Sequence, residues 1–126
     1  MIKSYKDLEI WQESMEIVKK VYKITTQLPK EEIYGLISQL RRAAISVPSN
    51  IAEGQQRQHR NEFRQFLYQS LGSLAELETQ LEIVKEIYQI RISKEVIEQM
   101  DLLGKKIRTL IKKLDSSNKP RVTNNK

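Results

Sequence analysis

The sequence predicts an all-α protein, an antiparallel up-and-down four-helix bundle. Three observations lead there. Apolar residues recur at spacings of three and four through four segments, the pattern of one buried helix face. Four glycines and three prolines among 126 residues are too few for a loop-rich β architecture. The connections between the periodic segments are short, which sets consecutive helices antiparallel. Helices of about 20 to 28 residues would each be roughly 30 to 40 Å long.

The first helix is expected from about Lys6 to Thr26. Leu8, Trp11, Met15, Val18 and Tyr22 form one stripe, and Ile10, Ile17, Val21 and Ile24 form a second beside it. Ser4 or Asp7 can cap its start, and Pro29 lies beyond its end. Two adjacent stripes are wider than one bundle core requires, and an exposed stripe of this kind is rare on soluble monomers. The second helix is expected from near Glu31, past Gly35, to about Glu53. Pro48 inside it removes a backbone hydrogen bond and predicts a kink near Ala44 to Val47. Its buried face, Leu40, Ala43, Ala44, Val47 and Ile51, is small, so a neighbouring backbone can come close. Gly54 reads as a left-handed C-cap. Glu53 opposes the helix dipole in the last turn.

After the polar connection Gln55 to Arg60, the third helix is expected from about Asn61 to Tyr88. Ser70, Gly72 and Ser73 form a small patch in its middle, the natural partner of the alanines. A turn at Gln89 to Ile92 leads to the fourth helix, capped by Ser93. Residues 1–115 are thus the predicted bundle, and 116–126 (SSNKPRVTNNK) a disordered basic C-terminal tail.

Composition excludes several function classes. There is no cysteine, hence no disulfide framework or thiolate metal site. No apolar stretch approaches the roughly 20 residues of a membrane span. The start, MIKSYKDLEIW, lacks the apolar core and cleavage site of a secretory signal. A cytoplasmic protein without membrane contact is the expectation. Catalysis is not indicated. A di-iron bundle needs a Glu-x-x-His motif on each of two helices, and the single histidine, His59, lies in a polar connection. Helical nucleases carry an Arg four to six residues before a His, and positions 53 to 55 are Glu, Gly and Gln. Glu76, Glu78 and Glu82 point in different directions, which argues against a catalytic carboxylate pair on that helix. No metal, cofactor or catalytic residue is therefore expected.

Charge is the positive signal. Residues 1–90 hold 12 Lys or Arg and 12 Asp or Glu, whereas residues 91–126 hold 10 and 4, so the whole net charge of +6 follows Ile90. Lys105, Arg108 and Lys112 share a helix face, with Lys106 and Lys113 one position round. Arg57, Arg60 and Arg64 form a second constellation around the start of the third helix, where cations oppose the dipole. Both are candidate phosphate contacts of a sequence-independent kind. By charge alone, a solvated helix face followed by a solubilising tail is the stronger explanation. Arg41 and Arg42 read as partners for acids across a bundle or subunit contact.

Several ordered motifs carry a family resemblance: DLEIWQ near the start, LP-x-EE-x-YGL at Leu28 to Leu36, QLRRAAISVPSNIAEG at Gln39 to Gly54, EF-x-x-FL from Glu62, and GSLAELETQL at Gly72 to Leu81. The chain resembles the bacterial four-helix-bundle family of ribosomal-RNA intervening-sequence proteins, which includes the accessory variability determinant of diversity-generating retroelements. The resemblance implies a homo-oligomer, commonly a pentameric ring or barrel with basic surface. It also implies association with RNA or DNA and, for the retroelement members, with a reverse transcriptase. It implies no catalytic residue. Where the family has a Ser three residues before the Glu of the EF motif, this chain has His59, which breaks a Ser-x-x-Glu capping box and leaves Asn61 to cap a slightly shorter helix. The expected function is a non-enzymatic, oligomeric nucleic-acid-binding accessory protein. The alternative is a protein–protein adaptor, for example on a reverse transcriptase, with no nucleic-acid role of its own.

Overall fold

The computed structural model describes residues 3–118, and these form four long helices. Helix α1 spans Glu9–Thr25, α2 Leu36–Gln55, α3 Arg60–Tyr88 and α4 Lys94–Asn118. Short 3-10 turns at Tyr5–Asp7 and Lys30–Glu32 precede the first two. The all-α class is as expected from the periodicity. Most of the predicted tail lies outside the described residues, and α4 runs three residues past the predicted end of the bundle.

Helix starts differ from the expectation for local reasons. Ser4 and Asp7 do form a capping box, but around the 3-10 turn: Lys6 N–H donates to Ser4 Oγ (3.0 Å) and Ser4 N–H donates to Asp7 Oδ2 (3.2 Å). Helix α1 begins only after it. Helix α2 starts at Leu36 rather than Glu31, because Glu32 turns forward to act as a cap. Its Oε1 accepts from Leu36 N–H at 3.1 Å, and its Oε2 accepts from the Tyr88 hydroxyl at the end of α3. Gly35 makes room: a Cβ there would lie 2.6 Å from Glu32 Oε1. The Tyr88 hydroxyl, and then the Leu36 N–H, hold the Glu32 carboxyl below the ordinary carboxylate value.

Helix α2 continues through Pro48 to Gln55. Around the proline, Ser49 Oγ donates to the Ile45 carbonyl (2.8 Å) and Asn50 Nδ2 to the Ser46 carbonyl (2.9 Å). Gly54 is no left-handed cap. It lies inside the helix, buried, and Gln89 alone has positive φ among the described residues. Its lack of a side chain serves close packing instead, since a Cβ would meet Phe66 Cβ at 2.7 Å and Phe63 Cδ1 at 2.9 Å. Helix α3 starts at Arg60, with His59 extended before it and no side-chain cap. The expected Asn61 cap is absent; Asn61 Oδ1 accepts from Arg64 Nη1 (3.2 Å). Gln89 ends α3 at φ 55°. Ser93 caps α4 as expected, its Oγ accepting from Val96 N–H at 3.2 Å.

All four helices contribute to one core, with Val21, Leu40, Ile51, Leu77, Met100 and Ile107 fully enclosed. The α2–α3 seam is its closest part. Ser70 Oγ donates to the Val47 carbonyl (2.9 Å) and Ser73 Oγ to Ser46 Oγ (2.8 Å) across it, and Ala43 and Ala44 of α2 are buried. Buried Ser70 is thereby satisfied. Gly72 was expected in this seam but faces open space. Along α2 and α3 partner numbers run in opposite order: Gln39 meets Gln80, Ser46 meets Ser73 and Val47 meets Ser70. Replacing buried Ala43 with Leu should overpack the core at about 1 to 3 kcal/mol, read as a lower denaturation midpoint with unchanged slope.

The two stripes of α1 divide unequally. Ile10, Ile17, Val21 and Ile24 are buried, Leu8, Trp11, Met15 and Val18 are half-buried, and Tyr22 is 37% exposed. Trp11 meets Tyr5 edge-on at 5.5 Å. Most of the wide apolar face is therefore covered within the chain, and greater apolar exposure lies at Tyr34 (94%) and Ile87 (63%).

Candidate nucleic-acid interface

Helix packing brings the first turns of α3 beside the last turns of α4, while Lys105 and Arg108 line the middle of the α3–α4 groove with Leu74 and Glu78. Arg64, in the first turns of α3, reaches Asp115 near the end of α4, Nη2 to Oδ1 at 3.7 Å. Residues separated by about fifty positions in sequence thus share a surface.

The eight candidate residues are not equivalent. Arg60 and Lys112 are exposed and make no ion pair among the described residues. Lys105 and Arg108 are exposed at the rim of a cleft between α3 and α4, and Lys113 is exposed one position round from Lys112. Arg57 pairs with Glu53 (2.8 Å) and lies 4.9 Å from the Phe66 ring centroid. That pairing explains the acid in the last turn of α2. Arg64 is half-buried, and its Nε has no partner among the described residues.

Lys106 departs most from the expectation. Its Nζ donates to Glu9 Oε2 (2.8 Å) and Glu13 Oε2 (2.5 Å), clamping α4 onto α1. Those two carboxylates raise the Lys106 pKa, and Lys106 in turn lowers that of Glu9. With two acids already on it, Lys106 offers little to an external phosphate. Arg41 departs too: its Nε donates to Thr25 Oγ1 (3.0 Å) and its guanidinium lies 4.3 Å from the Tyr22 ring centroid. A hydroxyl and a ring, not an acid, hold it.

One cluster escapes sequence reading. Glu78 of α3 meets Asp101 of α4 in the α3–α4 cleft, beside Lys105 and Arg108. Burial, then the Asp101 charge and hydrogen bond, raise the Glu78 pKa against the opposing effect of Arg108. The pair forms between helices, where spacing within α3 gives no sign of it. Asp101, Lys105 and Arg108 do share a flank of α4 by spacing, but the meeting with Glu78 depends on helix register. A carboxyl whose titration is raised by folding stabilises the fold when protonated, and that contribution is lost as pH rises through its folded pKa. Glu78→Gln should therefore gain thermal stability relative to the parent at pH 7.5 and lose that advantage at pH 4, as read by calorimetry.

Among the described residues no group of acids, His or Cys is placed to hold a metal ion, and no helix is long and apolar enough to cross a membrane.

Four long helices around one core define the class, and the family follows from comparison. The chain belongs to the 23S rRNA-intervening sequence protein family, whose profile matches residues 6–115. A crystal structure of a protein of unknown function from the S23 ribosomal protein family of Bacteroides thetaiotaomicron is similar in fold. It has a TM-score of 0.61 and 24% sequence identity, covering 83% of this chain and 96% of that one. No curated protein matches the chain.

Proposed function

We propose that this chain is a non-enzymatic accessory protein that binds RNA or DNA through the basic end of an antiparallel bundle, and that it acts as a homo-oligomer, a pentameric ring or barrel by family resemblance. The observation that supports this reading is the Arg64–Asp115 pair at 3.7 Å, which sets the start of α3, with Arg60, beside the stretch of α4 that carries Lys112 and Lys113. Membership of a family described by ribosomal-RNA intervening sequences supports RNA as the first ligand to try. Phosphate contacts carry no sequence information, so base preference should be slight. Several subunits would multiply weak contacts into useful avidity.

Fluorescence anisotropy with a labelled RNA duplex and its DNA counterpart tests this, alongside light scattering for mass. Micromolar or tighter binding to both is expected, with a mass several times 14.8 kDa. No binding at low salt by the intact protein would overturn the nucleic-acid role and leave the adaptor reading, for which the exposed Ile33, Tyr34 and Ile45 would be the first surface to probe. A mass near 14.8 kDa at micromolar concentration would overturn the oligomer.

A further inference from the structure

We infer that the open groove on the outer face of α2 is a subunit contact, and that its occupant is the acidic, isoleucine-bearing ridge of α3 from a second copy of this chain. This rests on the homo-oligomer reading and assigns it a surface. The groove has a volume of about 560 Å³ and is lined by Ile33, Ile37, Ser38, Arg41, Arg42 and Ile45. Ile33 and Ile45 are exposed beside buried Ile37. Neither arginine has an acid partner among the described residues. Arg41 is held by Thr25 and Tyr22, and Arg42 is exposed and unpaired. Exposed isoleucines between two such cations fit a helix that brings apolar side chains and acids on one face.

Helix α3 carries that combination. Glu76, Thr79, Ile83, Glu86 and Ile87 recur at spacings of three and four, so they share one face, and all five are exposed. Glu86 has no ion pair among the described residues, and Glu76 accepts only from Gln80 Nε2, at 3.3 Å. At 1.5 Å per residue the ridge from Glu76 to Ile87 is roughly 16 Å long and the groove from Ile37 to Ile45 roughly 12 Å. The two match in length, in apolar character and in charge.

One chain cannot seat its own ridge in its own groove. Its α2 and α3 are already packed side by side through Gln39–Gln80 and Ser46–Ser73, so the two surfaces look outward from neighbouring helices. The ridge of one copy therefore meets the groove of the next. A contact between two different surfaces is heterologous and repeats from chain to chain until a ring closes or a filament grows. It uses α2, the turn before it and α3, and leaves the cations of α4 outside.

Light scattering coupled to size exclusion reads this contact on the full chain. Ile33→Gln/Ile45→Gln removes the apolar part of the groove, and Ile83→Gln/Ile87→Gln that of the ridge. All four positions are exposed, so helix content by circular dichroism should match the parent. Each double variant alone should fall to the mass of one chain at a concentration where the parent is oligomeric. Mixed in equal amounts, the two should form a species of two chains and no larger, because one intact ridge meets one intact groove. Arg42→Glu should raise the dissociation constant by roughly tenfold or more. A parent that is itself a single chain would overturn the oligomer reading and this contact together. An oligomeric parent whose double variants keep its mass would overturn this contact alone. So would double variants that come apart singly but do not combine, or an unchanged dissociation constant for Arg42→Glu.

Discussion

Gly54→Ala should lower the melting temperature by roughly 10 °C at fixed protein concentration, the largest stability change expected of any single methyl added to this chain. The added carbon would sit 2.7 Å from Phe66 Cβ and 2.9 Å from Phe63 Cδ1. A β-carbon cannot swing away without its backbone, so α2 and α3 must part where they turn from one to the other. That places the substitution at about 2 to 3 kcal/mol, the upper part of the overpacking range. Gly72→Ala is the internal comparison. Nothing lies within 4 Å of its added carbon, so the better helix propensity of alanine should stabilise by about 0.5 to 1 kcal/mol. Equal effects at the two glycines would contradict the packing described for the α2–α3 corner.

Reversing Arg60 and Lys112 together should weaken RNA binding at least tenfold at low salt and flatten the log–log salt slope by about 2, at roughly 0.9 per duplex phosphate contact. Both side chains are exposed and make no ion pair among the described residues, so the loss would report on the ligand rather than the fold. Lys106→Ala should behave in the opposite way. It frees Glu9 and Glu13 and loosens α4 from α1, so it should lower thermal stability and leave the salt slope nearly unchanged. A slope that falls with Lys106→Ala but not with the double reversal would move the interface to the α1–α4 face.

These contrasts mark where the sequence is legible. Period and spacing locate all four helices, the Ser93 cap and the small α2–α3 seam, because each depends on residues within a few turns or on side-chain size. Helix starts are less legible. Glu32 reaches both Leu36 and Tyr88, 56 positions away, so the beginning of α2 depends on the end of α3. The two glycines exchange the roles that their local sequence suggests: Gly54 packs and Gly72 faces open space. Both outcomes depend on which flank of each helix meets the other. The basic residues are legible as a class from composition, but their partners are not. Nothing near Lys106 in sequence announces Glu9 and Glu13, and nothing near Glu78 announces Asp101. Such pairings arise from the register of α4 against α1 and α3.

Photo-cross-linking of a uridine-substituted RNA duplex to the intact protein, with the attached peptides mapped by mass spectrometry, tests the central claim most directly. Cross-links should concentrate on the peptides carrying Arg57 to Arg64 and Lys105 to Lys113, and Arg60→Glu/Lys112→Glu should remove most of them. Cross-links concentrated instead around Lys30, Lys85 and Arg91, at the end where Glu32 meets Tyr88, would contradict it.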